Sequence, residues 1–159
     1  MANAKGVSSV VCLSLSRWSK SPEPVGVAAM YSATLMDHFT HPRTVGRLEP
    51  YDASGTAGTP GNGPFVEFTA RLADECVVAV RFQTFGCGPA IAASSLLTEL
   101  VVGCRLSDTA TLTAETLVAA LGGLPEDKRY CADLAVAAWR DLLAGAYDAG
   151  RGARKPWPK

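Results

Sequence analysis

The sequence predicts an α+β domain, in which a small antiparallel sheet of about three strands is packed by helices and the chain closes on a long C-terminal helix. Three observations lead there. Two successive runs alternate apolar and polar residues around a short turn. A cysteine bracketed by glycines then switches the period from strand to helix, and a final segment repeats apolar residues four apart. The 159 residues carry 15 basic and 15 acidic side chains, a formal net charge of zero that makes no electrostatic case for nucleic acid. No apolar run reaches the ~18 residues needed to span a bilayer. The cysteines are Cys12, Cys76, Cys87, Cys104 and Cys131, odd in number and without a CxxC pair. That pattern argues against a disulfide framework and for a reducing, cytoplasmic setting.

Taken in order, residues 1–29 combine one short apolar run (7–15) with the breaker cluster Ser21-Pro22-Glu23-Pro24. Their basic residues mostly follow the run, which fits a signal peptide poorly. They read as a disordered extension, or as an over-long reading frame whose true start is Met30. The folded domain is expected over 30–147. Residues 33–40 place Leu35, Met36 and Phe39 on one helical face, and His41-Pro42 ends that helix. His38 and His41 lack an obvious Cys or carboxylate partner, so a solvent-facing or helix-ending role is expected for both.

Residues 44–52 read as a connecting loop, and the glycine-dense stretch 55–64 as one short strand followed by a loop. That stretch contains neither GxGxxG nor GxxxxGK[ST], so a phosphate cradle is not indicated. Val66, Phe68, Ala70 and Leu72 then share one strand face, and Val78, Val80 and Phe82 share another. Ala73-Asp74-Glu75-Cys76 joins the two runs into a hairpin with one buried face. A helix follows from Pro89 to about Val102 and stops at Gly103. Shorter helical pieces start near Ser107 and Thr113 and end at Gly122-Gly123. The last helix begins near Cys131 and carries Leu134, Ala138, Leu142 and Ala146, and residues 148–159 form a flexible tail rich in Gly, Arg, Lys and Pro.

The chemistry concentrates in two cysteines. Glycines on both sides of Cys87 permit a sharp turn and leave the sulfur uncrowded, and Pro89 is preset for a helix start. A thiol there lies at the positive end of a helix, where its thiolate is stabilised. Cys131 repeats the arrangement at the last helix, with Lys128 and Arg129 close by, so its pKa is also expected to fall. The bland reading of each is a small buried residue at a junction. Two such cysteines, each opening a helix, favour metal binding or sulfur acceptance instead. Cys76 sits in the hairpin turn, and Cys104 lies a helix length (~20 Å) from Cys87, so neither joins the pair. A hydrolase is not supported: GxSxG and HExxH are absent, and neither histidine is placed to activate Cys87.

Four segments carry a resemblance. DHFTHPRTVG (37–46) is similar to the DHxxNPRNVG loop of the NifU/IscU-type iron–sulfur cluster assembly scaffold proteins, and GTPGNG (58–63) to their GAPACGD loop. RFQTFGCGPAIAASS (81–95) resembles RFKTYGCGSAIASSS, and LPEDKRYCADL (124–134) resembles LPPVKIHCSIL. The resemblance implies a SufE/NifU-like α+β fold and a [2Fe–2S] cluster, iron or zinc held by three cysteines and sometimes a histidine. It also implies a cysteine desulfurase as sulfur donor and apo iron–sulfur proteins as recipients; a possible homodimer follows from the ligand count, since two chains with two thiolates each would make a four-thiolate site. Cys87 and Cys131 match two of the family's cysteines, and Lys128 matches a lysine that can approach the metal. The remaining positions differ: Asn62 stands for the first cysteine, Pro64 for an aspartate and Tyr130 for the histidine. Asn62, Tyr130 and Lys128 are thus the weaker candidate donors beside two thiols. Three non-enzymatic readings follow. The chain is a scaffold or carrier holding a transient cluster or iron through Cys87 and Cys131, an adaptor of the assembly machinery that binds no metal, or a persulfide acceptor with a Cys87–Cys131 disulfide as its resting form.

Overall fold

The structure is a computed structural model and describes residues 31–150. The extension expected over 1–29 lies outside the described residues, as does 151–159 of the tail expected from 148; residues 148–150 continue the last helix, which corrects the start of that tail. Ser32 caps the first helix, α1 (Ala33–Thr40), by accepting the Leu35 N–H on its Oγ at 3.0 Å. The same hydroxyl donates to the Leu121 carbonyl, so the start of α1 is tied to a turn 89 residues later. The inward face of α1 is Leu35 and His38, while Met36 and Phe39 are 40% and 41% exposed. This corrects the expected Leu35–Met36–Phe39 face. The helix is short and its partner is the edge of another helix, so only the i, i+3 pair meets the core.

After α1 the chain returns along the sheet. Val45 bridges Phe82 in parallel at one sheet edge, with Gly46 N–H on the Phe82 carbonyl at 2.8 Å. The Thr69 hydroxyl then accepts the Leu48 N–H at 3.0 Å. Three antiparallel strands follow in the order β1 (Ala53–Gly58), β2 (Phe65–Ala73), β3 (Cys76–Phe85). Contrary to a hairpin buried on one face only, every residue of β2 from Phe65 to Ala70 is buried. The 44–52 connection supplies the second cover, and Arg47 comes within 3.7 Å of the Glu67 carboxylate beneath it.

The hairpin turn is Asp74-Glu75, both at positive φ (51° and 63°), the handedness that suits a two-residue connection. A bulge interrupts the ladder just beyond it: Arg71 pairs with Ala79 and Leu72 with Val77, leaving Val78 unpaired. Val77, Val80 and Phe82 therefore face the core and Val78 is 57% exposed, which corrects the predicted Val78–Val80–Phe82 face. One extra residue inverts the alternation, and simple period-two counting does not register it.

The helices are α2 (Gly88–Val101), α3 (Leu106–Thr109), α4 (Ala114–Ala120), a 3₁₀ turn (Glu126–Lys128) and α5 (Tyr130–Gly150). α5 lies across β1 and β2, its Trp139 ring edge-on to Phe68 with centroids 6.0 Å apart. Ala138, Leu142 and Ala146 are buried along it, as their spacing predicts, and Leu134 packs at the margin. Gly55 makes the close approach possible. A Cβ there would fall 2.1 Å from the Leu142 nitrogen. Gly122 and Gly123, at φ +83° and +101°, end α4 as expected. The three-stranded sheet, the helices and the long C-terminal helix agree with the α+β class read from the sequence. The sheet register brings Gly58, Phe65 and Phe85 into line, so the β1–β2 loop and the exit of β3 share one end of the sheet.

Candidate functional site

Cys87 leaves β3 as the N-cap of α2, with extended backbone (φ −76°, ψ 171°) and no side-chain capping bond. The helix starts at Gly88, so Pro89 occupies its second position rather than its first. The capping role is left to the backbone, where the Cys87 carbonyl accepts the Ala90 N–H at 3.0 Å, and the sulfur is free for other contacts. Gly88 is needed for space: a Cβ there would meet the Phe39 ring at 3.1 Å. Cys131 is the second residue of α5, fully buried at 0% exposure.

The fold brings these two starts together. Cys87 Sγ lies 3.3 Å from Cys131 Sγ, across 44 residues of chain, and 3.6 Å from the Tyr130 hydroxyl. Both cysteines are free thiols. Phe85, 69% exposed, and Tyr130, 43% exposed, leave apolar surface beside the half-buried Cys87.

The two thiols differ in acidity. Burial works against ionisation of Cys87, but hydrogen bonds from Tyr130, Cys131 and the Ala90 N–H, with the Lys128 charge, hold its pKa below the ordinary thiol value. Cys131 is pushed the other way, first by burial and then by the thiolate of Cys87, which Lys128 and Tyr130 only partly offset. This corrects the expectation that both pKa values fall: a helix start lowers a thiol's pKa only where water or a partner also solvates the charge. Tyr130 retains its proton, because ionising it beside Cys87 and Cys131 would place like charges in contact.

The remaining candidates fall into place unevenly. Lys128, half-buried, lies 3.8 Å from the Asp127 carboxylate and acts on both thiols through its charge. Tyr130 touches Cys87 directly. Asn62 is exposed in the β1–β2 turn, its N–H on the Thr59 carbonyl at 3.0 Å, and the contacts joining Cys87, Cys131 and Tyr130 do not extend to it. Cys104 is buried with its thiol on the Leu100 carbonyl at 3.4 Å, away from the pair as its spacing implied. Cys76 pairs in the hairpin, and Cys12 is outside the described residues. Among the described residues no group of three or more His, Cys, Asp or Glu is placed to hold a metal ion.

A polar cluster that sequence reasoning missed lies further along α2. His38 is 2% exposed, with Nδ1 2.8 Å from the Ser95 hydroxyl and Nε2 3.6 Å from the Glu99 carboxylate. Ser95 also accepts the Arg43 N–H at 2.9 Å, and the Arg43 guanidinium reaches Asp37 at 2.6 Å and Glu99 at 3.3 Å. The expected solvent-facing His38 is thus corrected, and its missing carboxylate is Glu99. Burial first, and the Arg43 charge second, lower the His38 pKa to about 4. The available signal was the four-residue spacing of Ser95 and Glu99 along one helix. His41 stays exposed, 3.6 Å from Asp37.

The strand–turn–helix cysteine, the apposed second cysteine and the sheet order can be set beside known proteins. Residues 30–149 match the family model described as the NifU-like N terminal domain. The chain belongs to the NifU-like N-terminal domain family. It is 40% identical over 114 residues to the iron–sulfur cluster assembly scaffold protein IscU 1 of Archaeoglobus fulgidus, covering 72% of this chain and 74% of the relative. It is 42% identical over 106 residues to the scaffold protein IscU of Aquifex aeolicus, covering 65% and 68%. Among solved structures, a NifU-like N-terminal protein from Brucella abortus superposes with a TM-score of 0.54 at 14% identity, covering 76% of this chain and 94% of the other. That likeness is one of fold alone.

Proposed function

We propose that this chain is an iron–sulfur cluster assembly scaffold that holds a nascent [2Fe–2S] cluster or iron as cargo through Cys87 and Cys131. The observation that carries this reading is the 3.3 Å approach of the two thiols at paired helix starts. Two thiolates on one tetrahedral metal with bonds of about 2.3 Å stand roughly 3.8 Å apart, so the pair needs to open by only about half an ångström. The scaffold names of the relatives in Archaeoglobus and Aquifex support it. Each chain then provides a two-thiolate half-site, and the other ligands come from a second copy, a partner or a small thiol. Tyr130, Lys128 and Asn62 are secondary donors or charge partners rather than soft ligands. In this role the protein is a carrier rather than an enzyme. A cysteine desulfurase loads it, apo iron–sulfur proteins unload it, and it works in the reducing cytoplasm. No helix among the described residues is long and apolar enough to cross a membrane.

Anaerobic reconstitution with iron, sulfide and a desulfurase tests the reading. A thiolate-to-iron charge-transfer spectrum is expected in the wild type and is expected to vanish in Cys87→Ala and in Cys131→Ala. A wild-type protein that stays colourless and binds no zinc overturns it. The lack of a three-ligand group among the described residues favours one alternative, an adaptor that docks to the assembly machinery without metal. The adaptor predicts desulfurase binding that persists when both cysteines are replaced.

A further inference from the structure

The loop between β1 and β2 carries a modification site that depends neither on the thiol pair nor on the scaffold reading. We infer that the Asn62-Gly63 link closes on itself to a cyclic imide and opens to an aspartyl or isoaspartyl residue at position 62. Three observations support this. Thr59-Pro60-Gly61-Asn62 forms a turn in which the Asn62 N–H donates to the Thr59 carbonyl at 3.0 Å, with Gly61 in third place at φ +80°. The turn anchors the Asn62 backbone and ends there. Beyond it, the Gly63 N–H makes no hydrogen bond among the described residues, so its nitrogen is available. Finally, residues 58–64 are all exposed, and a Cβ added at Gly61 or Gly63 would meet nothing within 4 Å. Gly63, at φ +99° and without a side chain, lets the peptide rotate toward the neighbouring carboxamide with no packing to break.

The reaction needs only solvent. Base removes the Gly63 amide proton, and the nitrogen attacks Asn62 Cγ. The N–Cγ bond forms, the Cγ–Nδ2 bond breaks, and the carboxamide nitrogen leaves as ammonia, taking up a proton. Water then opens the imide. Addition at Cγ breaks the new bond and gives the aspartyl chain. Addition at the main-chain carbonyl of residue 62 breaks the original peptide bond and gives the isoaspartyl chain. No electrons are transferred, and the sum is carboxamide plus water to carboxylic acid plus ammonia. Residues 58–64 hold no ionisable side chain, so this single event takes the loop from neutral to one negative charge. The loop shares its end of the sheet with the exit of β3, through the alignment of Gly58, Phe65 and Phe85, and the new charge appears at that end. Asn62 is thus a slow, irreversible charge clock rather than a fixed polar residue.

The test holds the full chain, reduced and in chelator, across a neutral-to-alkaline pH series, so the fate of the scaffold reading leaves the result untouched. Peptide mapping follows residue 62, and Asn3, which precedes Ala4, is the internal reference. First-order loss of Asn62 to both products is expected, rising about tenfold per pH unit and at least about tenfold faster than loss of Asn3. The folded chain is expected to react within about threefold of the urea-unfolded chain, because the loop offers no protection. Gly63→Ala is expected to slow the loss at least about tenfold. An Asn62 that outlasts Asn3, a folded rate more than about tenfold below the unfolded one, or an undiminished rate in Gly63→Ala overturns the inference. Should Gly63→Ala fail to fold, the folded-to-unfolded ratio of the wild type decides alone.

Discussion

The two ends of one stretch of α2, about 12 Å apart, are built on opposite plans. At Ser95–Glu99 the polar groups are engaged. Ser95 meets both His38 and the Arg43 N–H, Thr98 accepts from Thr44 at 2.7 Å, and Glu99 meets Arg43. At Cys87 the side chain does not cap its own helix, and its sulfur faces a second thiol. The first region fixes α1 and its loop onto the helix. The second keeps a reactive group out of the structural hydrogen-bond network. A scaffold for labile cargo is served by both, because a free sulfur is selective only if the backbone that presents it stays in place.

Acid separates the two regions most strongly. His38 has a folded pKa of about 4 against 6.5 for a solvent-exposed imidazole, so the unfolded chain binds the extra proton between those values. The stability that neutral His38 confers is complete above about pH 6.5 and is lost as pH falls toward about 4. The full loss is about 3 kcal/mol, with little further change from this group below that. Denaturant midpoints measured across this window should fall with acid in the wild type and change much less in His38→Gln. A flat wild-type profile would show that His38 is not held neutral.

A smaller effect is expected from Ser95→Ala. It strands His38 Nδ1 and the Arg43 N–H in a buried site, at a cost of about 2 kcal/mol in chemical denaturation. Alkylation of Cys87 in the folded protein should keep its wild-type pH profile. A shifted profile would mean that the two regions are coupled rather than separate.

Tyr130→Phe should show the reverse pattern and the least change in stability, below about 0.5 kcal/mol, because the hydroxyl is exposed. It removes a hydrogen bond that stabilises the Cys87 thiolate, so the midpoint of Cys87 alkylation should move to higher pH. An unmoved midpoint would assign the lowered pKa to the backbone and Lys128 instead.

Much of the molecule was legible as sequence, because its signals are local. Alternation identified the hairpin and placed its turn within Ala73-Asp74-Glu75-Cys76, the Gly-Cys-Gly-Pro junction placed Cys87 at a helix start, and four-residue spacing marked α5. Those features depend on neighbours a few residues away, as secondary structure does. Only the tertiary structure decided the rest. It buried His38 against Ser95, 57 residues on, slipped the Val77–Val78 register by one bulge, and covered the second face of β2 with a connection read as plain loop. It also gave Cys87 and Cys131, so alike as sequence, opposite acidities at 3.3 Å. Burial and charge proximity are set by groups distant along the chain, and those two quantities turn a pair of helix-start cysteines into one half-buried, more acidic thiol and one fully buried partner.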